Sequence, residues 1–323
     1  MKNNTDLKTI SEKLFSAKTV LLFPHRNPDG DSIGACSALS LALRGAGVEC
    51  YVYSEDAPKY LRFINREAFT EEWDKIPHPD VCAAIDCNEY GRLQDRAEIY
   101  DSGATKICID HHEHDQGFGD LYYIDEKAAA ACELVYEIIK YAGAEITRDI
   151  ANALYTGIVT DTGSFRYSNT SAVTFRMASE LFDIGVDHIP IMVNLFNNKS
   201  IKKVRCESKA VAKAILFAGG KGVISYLTSG EMGAMNARSE DADEIIDRLR
   251  DIEDVEMAAY LEEREDGIKV SMRSKTDSSV LEICQRNGGG GHVKAAGCTI
   301  HTTMENAFAI IKDEMEEALK PKK

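Results

Sequence analysis

The feature that most constrains this chain is a rhythm in its first half. Short, uninterrupted apolar runs alternate with stretches of helical spacing, and the runs stop at clusters of polar residues. Strand-like runs cover 19–23, 48–53, 81–85 and 106–109, while helical spacing covers 31–44, 128–141 and 149–160, the first of these closing at Gly45. A continuously apolar strand needs cover on both faces. Alternation of such strands with helices therefore predicts an α/β domain with a mostly parallel sheet and helices on both faces. Ligands of such sheets gather outside the carboxyl ends of the strands. The polar clusters fall there: 25–31 after the first run, Asp86 after the third, and Asp110, His111 and His112 after the fourth.

The pattern then changes. Residues 171–184 predict a helix stopped by Gly185, and 189–217 is a long, mostly helical stretch carrying Asn197, Asn198 and Lys199. Strands follow at 222–227, 255–262 and 268–273, with helices at 241–251 and 279–286, a glycine run, and an amphipathic closing helix over 305–319. A chain of 323 residues exceeds what one hydrophobic core usually organises. The expected division is a first domain over 1–187, a helical linker over 188–217, and a smaller C-terminal α/β domain over 218–323.

The densest chemical signal is His25-Arg26-Asn27-Pro28-Asp29-Gly30-Asp31-Ser32. It offers one imidazole and two carboxylates within a tight turn. Pro28 holds Asn27 extended and Gly30 widens the backbone choice, so both aspartates can face one site. Capping of the next helix by Asp31 or Ser32 explains one residue, not His25 and Asp29. Asp86 alone reads equally well as a turn residue. Adjacent His111 and His112 are harder to dismiss, because each imidazole needs a partner if buried. One can face a metal while the other turns to substrate, with Asp110 orienting them from behind. His114 reads as a solvent-exposed bystander. Asp161 ends a helical stretch, where the macrodipole disfavours an acid unless a cation is bound. Carboxylates with imidazoles suit Mn²⁺, with Co²⁺, Mg²⁺ or Zn²⁺ as substitutes. Two ions ~3.5–4 Å apart need a bridging carboxylate, and such a pair activates water and screens charge on a phosphoryl group.

Charge bounds the partners. A net charge of −15, with no basic run beyond the lysines of the 320–323 tail, argues against a long nucleic-acid duplex. A small anionic ligand needs only local positive charge or metal. No apolar run is long enough for a membrane span, and the polar N-terminus predicts a cytoplasmic protein. Nine scattered cysteines without a C-x-x-C pair read as small buried hydrophobes in a reducing compartment. A homodimer is left open.

These residues, in this order, resemble the DHH phosphoesterase superfamily over nearly the whole chain. The carriers are H-x-N-P-D-G-D-S-I-G-A from His25, Asp86, the Asp110-His111-His112 triplet, Thr160-Asp161-Thr162-Gly163, and Gly288-Gly289-Gly290-Gly291-His292 followed by Ala295-Ala296-Gly297. The resemblance implies His25, Asp29, Asp86 and Asp161 around one metal, and Asp31, Asp86, His111 and Asp161 around the other. Asp86 and Asp161 would bridge, His112 would contact the substrate phosphate, and a hydroxide between the metals would attack phosphorus in line. His112 is also a candidate acid for the leaving group. Within the superfamily, size and the glycine motif resemble small bacterial enzymes that act as oligoribonuclease (nanoRNase) and as phosphatase of 3′-phosphoadenosine 5′-phosphate. Arg273, Ser274, Gly289, Gly290, Gly291 and His292 would then hold a terminal phosphate or base, in a cleft that admits only short substrates. One departure is Ala131, where a threonine is expected.

Rival readings are a hydrolase of linear or cyclic dinucleotides (pApA, cyclic di-AMP) from the same superfamily, and a silent nucleotide-binding protein. The second predicts a missing ligand, and every position is filled. The glycine motif argues against a pyrophosphatase, and a RecJ-type exonuclease would be longer.

Overall fold

The computed structural model describes residues 3–54, 58–72, 76, 78–87, 89–112, 117–275 and 278–320. His114 and the last three residues of the lysine tail lie outside them. The chain forms two compact units, Met1–Asn198 and Lys199–Lys323. The division falls inside the stretch expected to link domains, whose residues are shared between the two units.

The first unit runs α1 (Leu7–Phe15), β1 (Thr19–Pro24), α2 (Gly30–Gly45), β2 (Glu49–Tyr53), β3 (Phe69–Thr70), β4 (Val81–Ile85), α3 (Ala97–Asp101), β5 (Thr105–Asp110), β6 (Leu121–Ile124), α4 (Ala131–Tyr141), α5 (Arg148–Asp161), α6 (Ala172–Ile184) and α7 (His188–Met192). Its sheet has the order β3-β2-β1-β4-β5-β6 with all pairs parallel. Alternate residues of β1 serve two cores, as the unbroken apolar run requires. Val20 and Leu22 pack with α1, α2, α4 and α5, while Leu21 and Phe23 pack with Leu93, Ile99 and Tyr100. The expected α/β architecture is the one observed. Successive strands leave β1 on one side through β2 and β3, then resume on the other at β4. That reversal opens a crevice at the carboxyl ends of β1 and β4.

Local signals account for the helices around the crevice. Asp29, and not Asp31 or Ser32 as expected, caps α2: its carboxylate accepts from the N–H groups of Asp31 (3.1 Å) and Ser32 (3.0 Å), so capping accounts for part of its role. Thr147 caps α5, and α6 has a capping box between Ser171 and Thr174 and ends on left-handed Gly185. Helices α2 and α5 meet on glycines: a Cβ on Gly34 would stand 2.5 Å from the Ala153 carbonyl oxygen, and one on Gly157 2.7 Å from Asp31 Oδ1. This close approach brings Asp31 and Asp161 to one place. Gly34→Ala is therefore expected to cost about 1–3 kcal/mol through forced separation of the helices, measured by urea unfolding. An unchanged midpoint would show that the contact relaxes freely.

The second unit runs α8 (Ile201–Ala212), β7 (Ile215–Phe217), β8 (Gly222–Leu227), α9 (Ser229–Ala234), α10 (Ile245–Arg250), β9 (Met257–Arg264), β10 (Gly267–Ser274), α11 (Leu281–Arg286), β11 (Gly290–His292), β12 (Ala295–Ile300) and α12 (Met304–Ala318). Its sheet, β11-β12-β10-β9-β8-β7, is antiparallel except between β8 and β9. Helices α11 and α12 cover one face, α8 and α10 the other. The helix expected over 241–251 is shorter. It follows a 3₁₀ turn, Ser239–Asp241, in which the Asp241 side chain accepts from Arg238 N. Part of the glycine run is an edge strand, β11. Gly289 and Gly291 permit its close approach to β12, since a Cβ would stand 2.1 Å from the Gly297 carbonyl oxygen or 2.5 Å from that of Ala295. No helix among the described residues is long and apolar enough to cross a membrane.

Candidate metal centre

The polar residues that end β1, β4 and β5 converge in the crevice with Asp31 of α2 and Asp161 of α5. Among the described residues, three groups each have donor atoms within 4.8 Å of one another: His25, Asp29 and Asp86; Asp31, His111 and Asp161; and Asp86, His111 and His112. Asp86 faces both sides of the cluster. Its Oδ2 is 3.6 Å from His25 Nε2, and its Oδ1 is 3.6 Å from His111 Nε2 and 3.4 Å from His112 Nδ1. His111 Nε2 is also 3.6 Å from Asp31 Oδ2 and 3.3 Å from Asp161 Oδ2. His25 Nε2 is 3.7 Å from Asp29 Oδ1. Asp161, expected to bridge like Asp86, is grouped with Asp31 and His111 only.

Backbone carbonyls set the tautomers. His25 Nδ1 contacts Arg26 O at 2.8 Å and His111 Nδ1 contacts Ala128 O at 3.2 Å. A proton on Nδ1 leaves the Nε2 lone pair facing the carboxylates, the state a metal ligand needs. Asp31 accepts from Ala131 N (2.6 Å) and Cys132 N (3.0 Å), so the first N–H groups of α4 hold its carboxylate. Ala131, without a hydroxyl, makes this contact through its backbone. Asp110 Oδ1 accepts from His111 N, His112 N and His112 Nδ1 at 2.6, 2.7 and 2.8 Å. Burial works against this pair, but their mutual hydrogen bond prevails: Asp110 is lowered and His112 raised.

The rest of the cluster is electrostatically unbalanced. Asp31, Asp86 and Asp110 are each at most 1% exposed. Burial first, then Asp31 and Asp29, raises the Asp86 carboxyl well above its usual range. The same causes push Asp161 up to about 9. Asp86 also sits in the left-handed region (φ 59°), so the backbone is strained where the donors meet. Asn27 (φ 53°) is left-handed too, not held extended by Pro28 as expected, because asparagine tolerates this region more readily than most residues. Among the described residues, Asp86 Oδ1 and His111 Nε2 are buried without a hydrogen-bond partner. Separations of 3.3–3.7 Å are longer than those of well-formed hydrogen bonds. They are close to the ~3 Å between neighbouring oxygen ligands on a small octahedral cation. This donor set fits divalent cations.

The second unit sorts the other expected residues. Arg273, Ala295 and His292 form one row across β10, β12 and β11, so they share a face of the sheet, with Ser271, Gly297 and Gly290 in the next row on that face. Arg273 Nε lies 3.9 Å from Asp247 Oδ1, and its Nη1 donates to Met272 O at 3.0 Å. Ser274 alternates to the opposite, buried face. Gly288 and Gly291 have positive φ and Gly289 is packed against β12, whereas Gly290 has ordinary φ and open space where a Cβ would be. Two residues escape sequence reading: Glu133, visible only as an acid inside an apolar helix, and Asn169, which carries no pattern.

A buried carboxylate–imidazole cluster at the switch point of a doubly wound sheet is a site for divalent cations. Residues 19–158 match the N-terminal domain of the DHH family, and 219–320 match the DHHA1 domain. The chain is 32% identical over 302 residues to the bifunctional oligoribonuclease and PAP phosphatase NrnA of Thermus thermophilus, covering 93% of this chain and 90% of that protein. It is 26% identical over 309 residues to the cyclic-di-AMP phosphodiesterase PdeA of Listeria monocytogenes, covering 90% of this chain and 46% of that one. An exopolyphosphatase-related protein of Bacteroides fragilis shares the fold, with a TM-score of 0.91, 24% identity and coverage of 98% and 97%. The chain belongs to the DHH family of phosphoesterases.

Proposed function

We propose that this enzyme is a manganese-dependent hydrolase of short oligoribonucleotides and 3′-phosphoadenosine 5′-phosphate. The observation that carries the reading is Asp86, whose two oxygens face two separate donor groups. A bound pair of cations supplies Lewis acidity toward a phosphoryl group and lowers the pKa of water. The chain's own residues do the rest. Asp86 spans the two sites, with His25 and Asp29 on one side and Asp31, His111 and Asp161 on the other. Asp110 fixes the Nδ1 side of His112 and so aims that ring, which contacts a phosphate oxygen or gives a proton to the leaving group. In the second unit, Arg273 and His292 hold a terminal nucleotide over a floor of small residues, Ala295, Gly297 and Gly290. This platform spans three strands, ~10 Å, which suits a terminal nucleotide. The similarity to an oligoribonuclease and PAP phosphatase over nine-tenths of both chains supports that substrate class.

The test is a Mn²⁺-dependent assay over dinucleotides to 10-mers, 3′-phosphoadenosine 5′-phosphate, pApA, cyclic di-AMP and pyrophosphate. Turnover should be highest on the shortest oligoribonucleotides and on 3′-phosphoadenosine 5′-phosphate. A clear preference for pApA or cyclic di-AMP would move the chain to the dinucleotide phosphodiesterases instead. Arg273→Ala should raise KM for a dinucleotide ~10–100-fold, the worth of a charged hydrogen bond. It should leave an activated generic phosphodiester within a few fold. Equal losses on both would contradict a substrate-holding role.

A further inference from the structure

We propose that Glu133 and Asn169 are positioning residues for one of the two metal sites, that of Asp31, His111 and Asp161, and that they act by clamping Ala129. The proposal rests on the reading of this cluster as a metal pair. Both polar groups of the Ala129 backbone are taken by side chains. Its N–H donates to Glu133 Oε2 at 3.2 Å, and its carbonyl accepts from Asn169 Nδ2 at 3.0 Å. Asn169 Nδ2 also donates to the Asp161 carbonyl at 3.1 Å, so one amide ties the Ala129 segment to the end of α5. Glu133 is only 4% exposed, a costly place for a carboxylate unless it holds something in register.

What the clamp holds lies on either side of Ala129. The carbonyl of Ala128 orients His111, and the N–H groups of Ala131 and Cys132 grip Asp31. A shift of this segment would turn the His111 ring and release the Asp31 carboxylate together, while Asn169 couples the same segment to Asp161. The other group has separate supports. His25 is set by Arg26 O, Asp29 by the first N–H groups of α2, and Asp86 by its own N–H on Ile109 O at 2.9 Å. None of these contacts involves Ala129. Loosening the clamp should thus weaken one site and spare its neighbour.

The experiment is a Mn²⁺ titration of the full chain and of Glu133→Ala, Glu133→Gln and Asn169→Ala. Free Mn²⁺ is followed by its six-line electron paramagnetic resonance signal, and the bound pair by its exchange-coupled signal. Wild type should bind two ions and show the coupled signal. Asn169→Ala and Glu133→Ala should keep one site within ~3-fold and weaken the other ~10–100-fold, the usual effect of removing an outer support of a ligand. The bound ion should then give an uncoupled signal. Glu133→Gln keeps an oxygen for the Ala129 N–H and should restore most of the coupled signal. Asn169 has an exposed side chain, so its variant reports even if Glu133→Ala fails to fold. Two sites weakened equally, two sites unchanged in Asn169→Ala, or a Glu133→Gln as poor as Glu133→Ala would each overturn the clamp. Fewer than two ions on wild type would instead overturn the metal-pair reading, and this proposal with it.

Discussion

Asp86→Asn is expected to lower kcat on a short oligoribonucleotide by on the order of 10³-fold, the scale seen when one electrostatic contact to a reacting group is removed, while the metal-free fold becomes no less stable. The two effects share one cause. Asp86 is 1% exposed and stands among Asp31, Asp29, Asp110 and Asp161, so its charge is costly in the absence of a cation. An amide of the same shape removes that cost. It also keeps only one oxygen, whereas the carboxylate has one facing His25 and another facing His111. The variant should therefore melt in chelator at or above the wild-type temperature, and lose the stabilisation that metal brings. Near-normal turnover would show that this carboxylate does not span two ions. A lower melting temperature in chelator would show that its charge is balanced within the protein.

The second large effect is on stability. Mn²⁺ at ~100 times its dissociation constant adds ~2.7 kcal/mol per site by linkage. For a unit of this size that corresponds to a rise of ~5–10 °C in Tm from one site. The increment should grow with pH. In the metal-free chain Asp161 titrates near 9 when folded, against 3.8 for the ordinary side chain. A folded value above the unfolded one means that its contribution is fully present below about pH 4 and is lost as pH rises toward 9. The metal-free chain should therefore weaken between about pH 6 and about pH 8.5, where bound Mn²⁺ compensates charge that would otherwise repel. Thermal melts with Mn²⁺ and with chelator at both pH values decide the matter. An increment that shrinks as pH rises would contradict it.

Much of the first unit is legible in the sequence because each signal is local. The runs at 19–23 and 81–85 are apolar at almost every position, and that pattern appears only when both faces of a strand are covered. Where the pattern is weaker the elements go unseen. Strands β3 and β6 have only two and four residues and lie at the sheet edges, largely half-buried, so neither shows an unbroken run. Strand β12 alternates half-buried and buried positions and includes Gly297, which reads as loop. Helix α1 is short, and Leu7, Ile10 and Leu14 are separated by polar residues, so its apolar face is thin. The glycine run reads as a site for an anion, while the structure shows two of its glycines needed for backbone packing, with Gly290 facing open space.

What the sequence determined by itself is the set of donors and their order: imidazoles and carboxylates placed just past the ends of apolar runs, where a parallel sheet must deliver them to one edge. Their supports were decided by the tertiary structure alone. Asp31 is held by backbone N–H groups a hundred residues away, His111 by the carbonyl of an alanine, and Ala129 by Glu133 and Asn169. Ser274 is turned from Arg273 by nothing more than strand alternation. The reason is chemical: a side-chain ligand is written in its residue type, but every residue other than proline carries the same N–H and C=O. Which of those groups will be recruited leaves no trace in the sequence until the chain has folded around it.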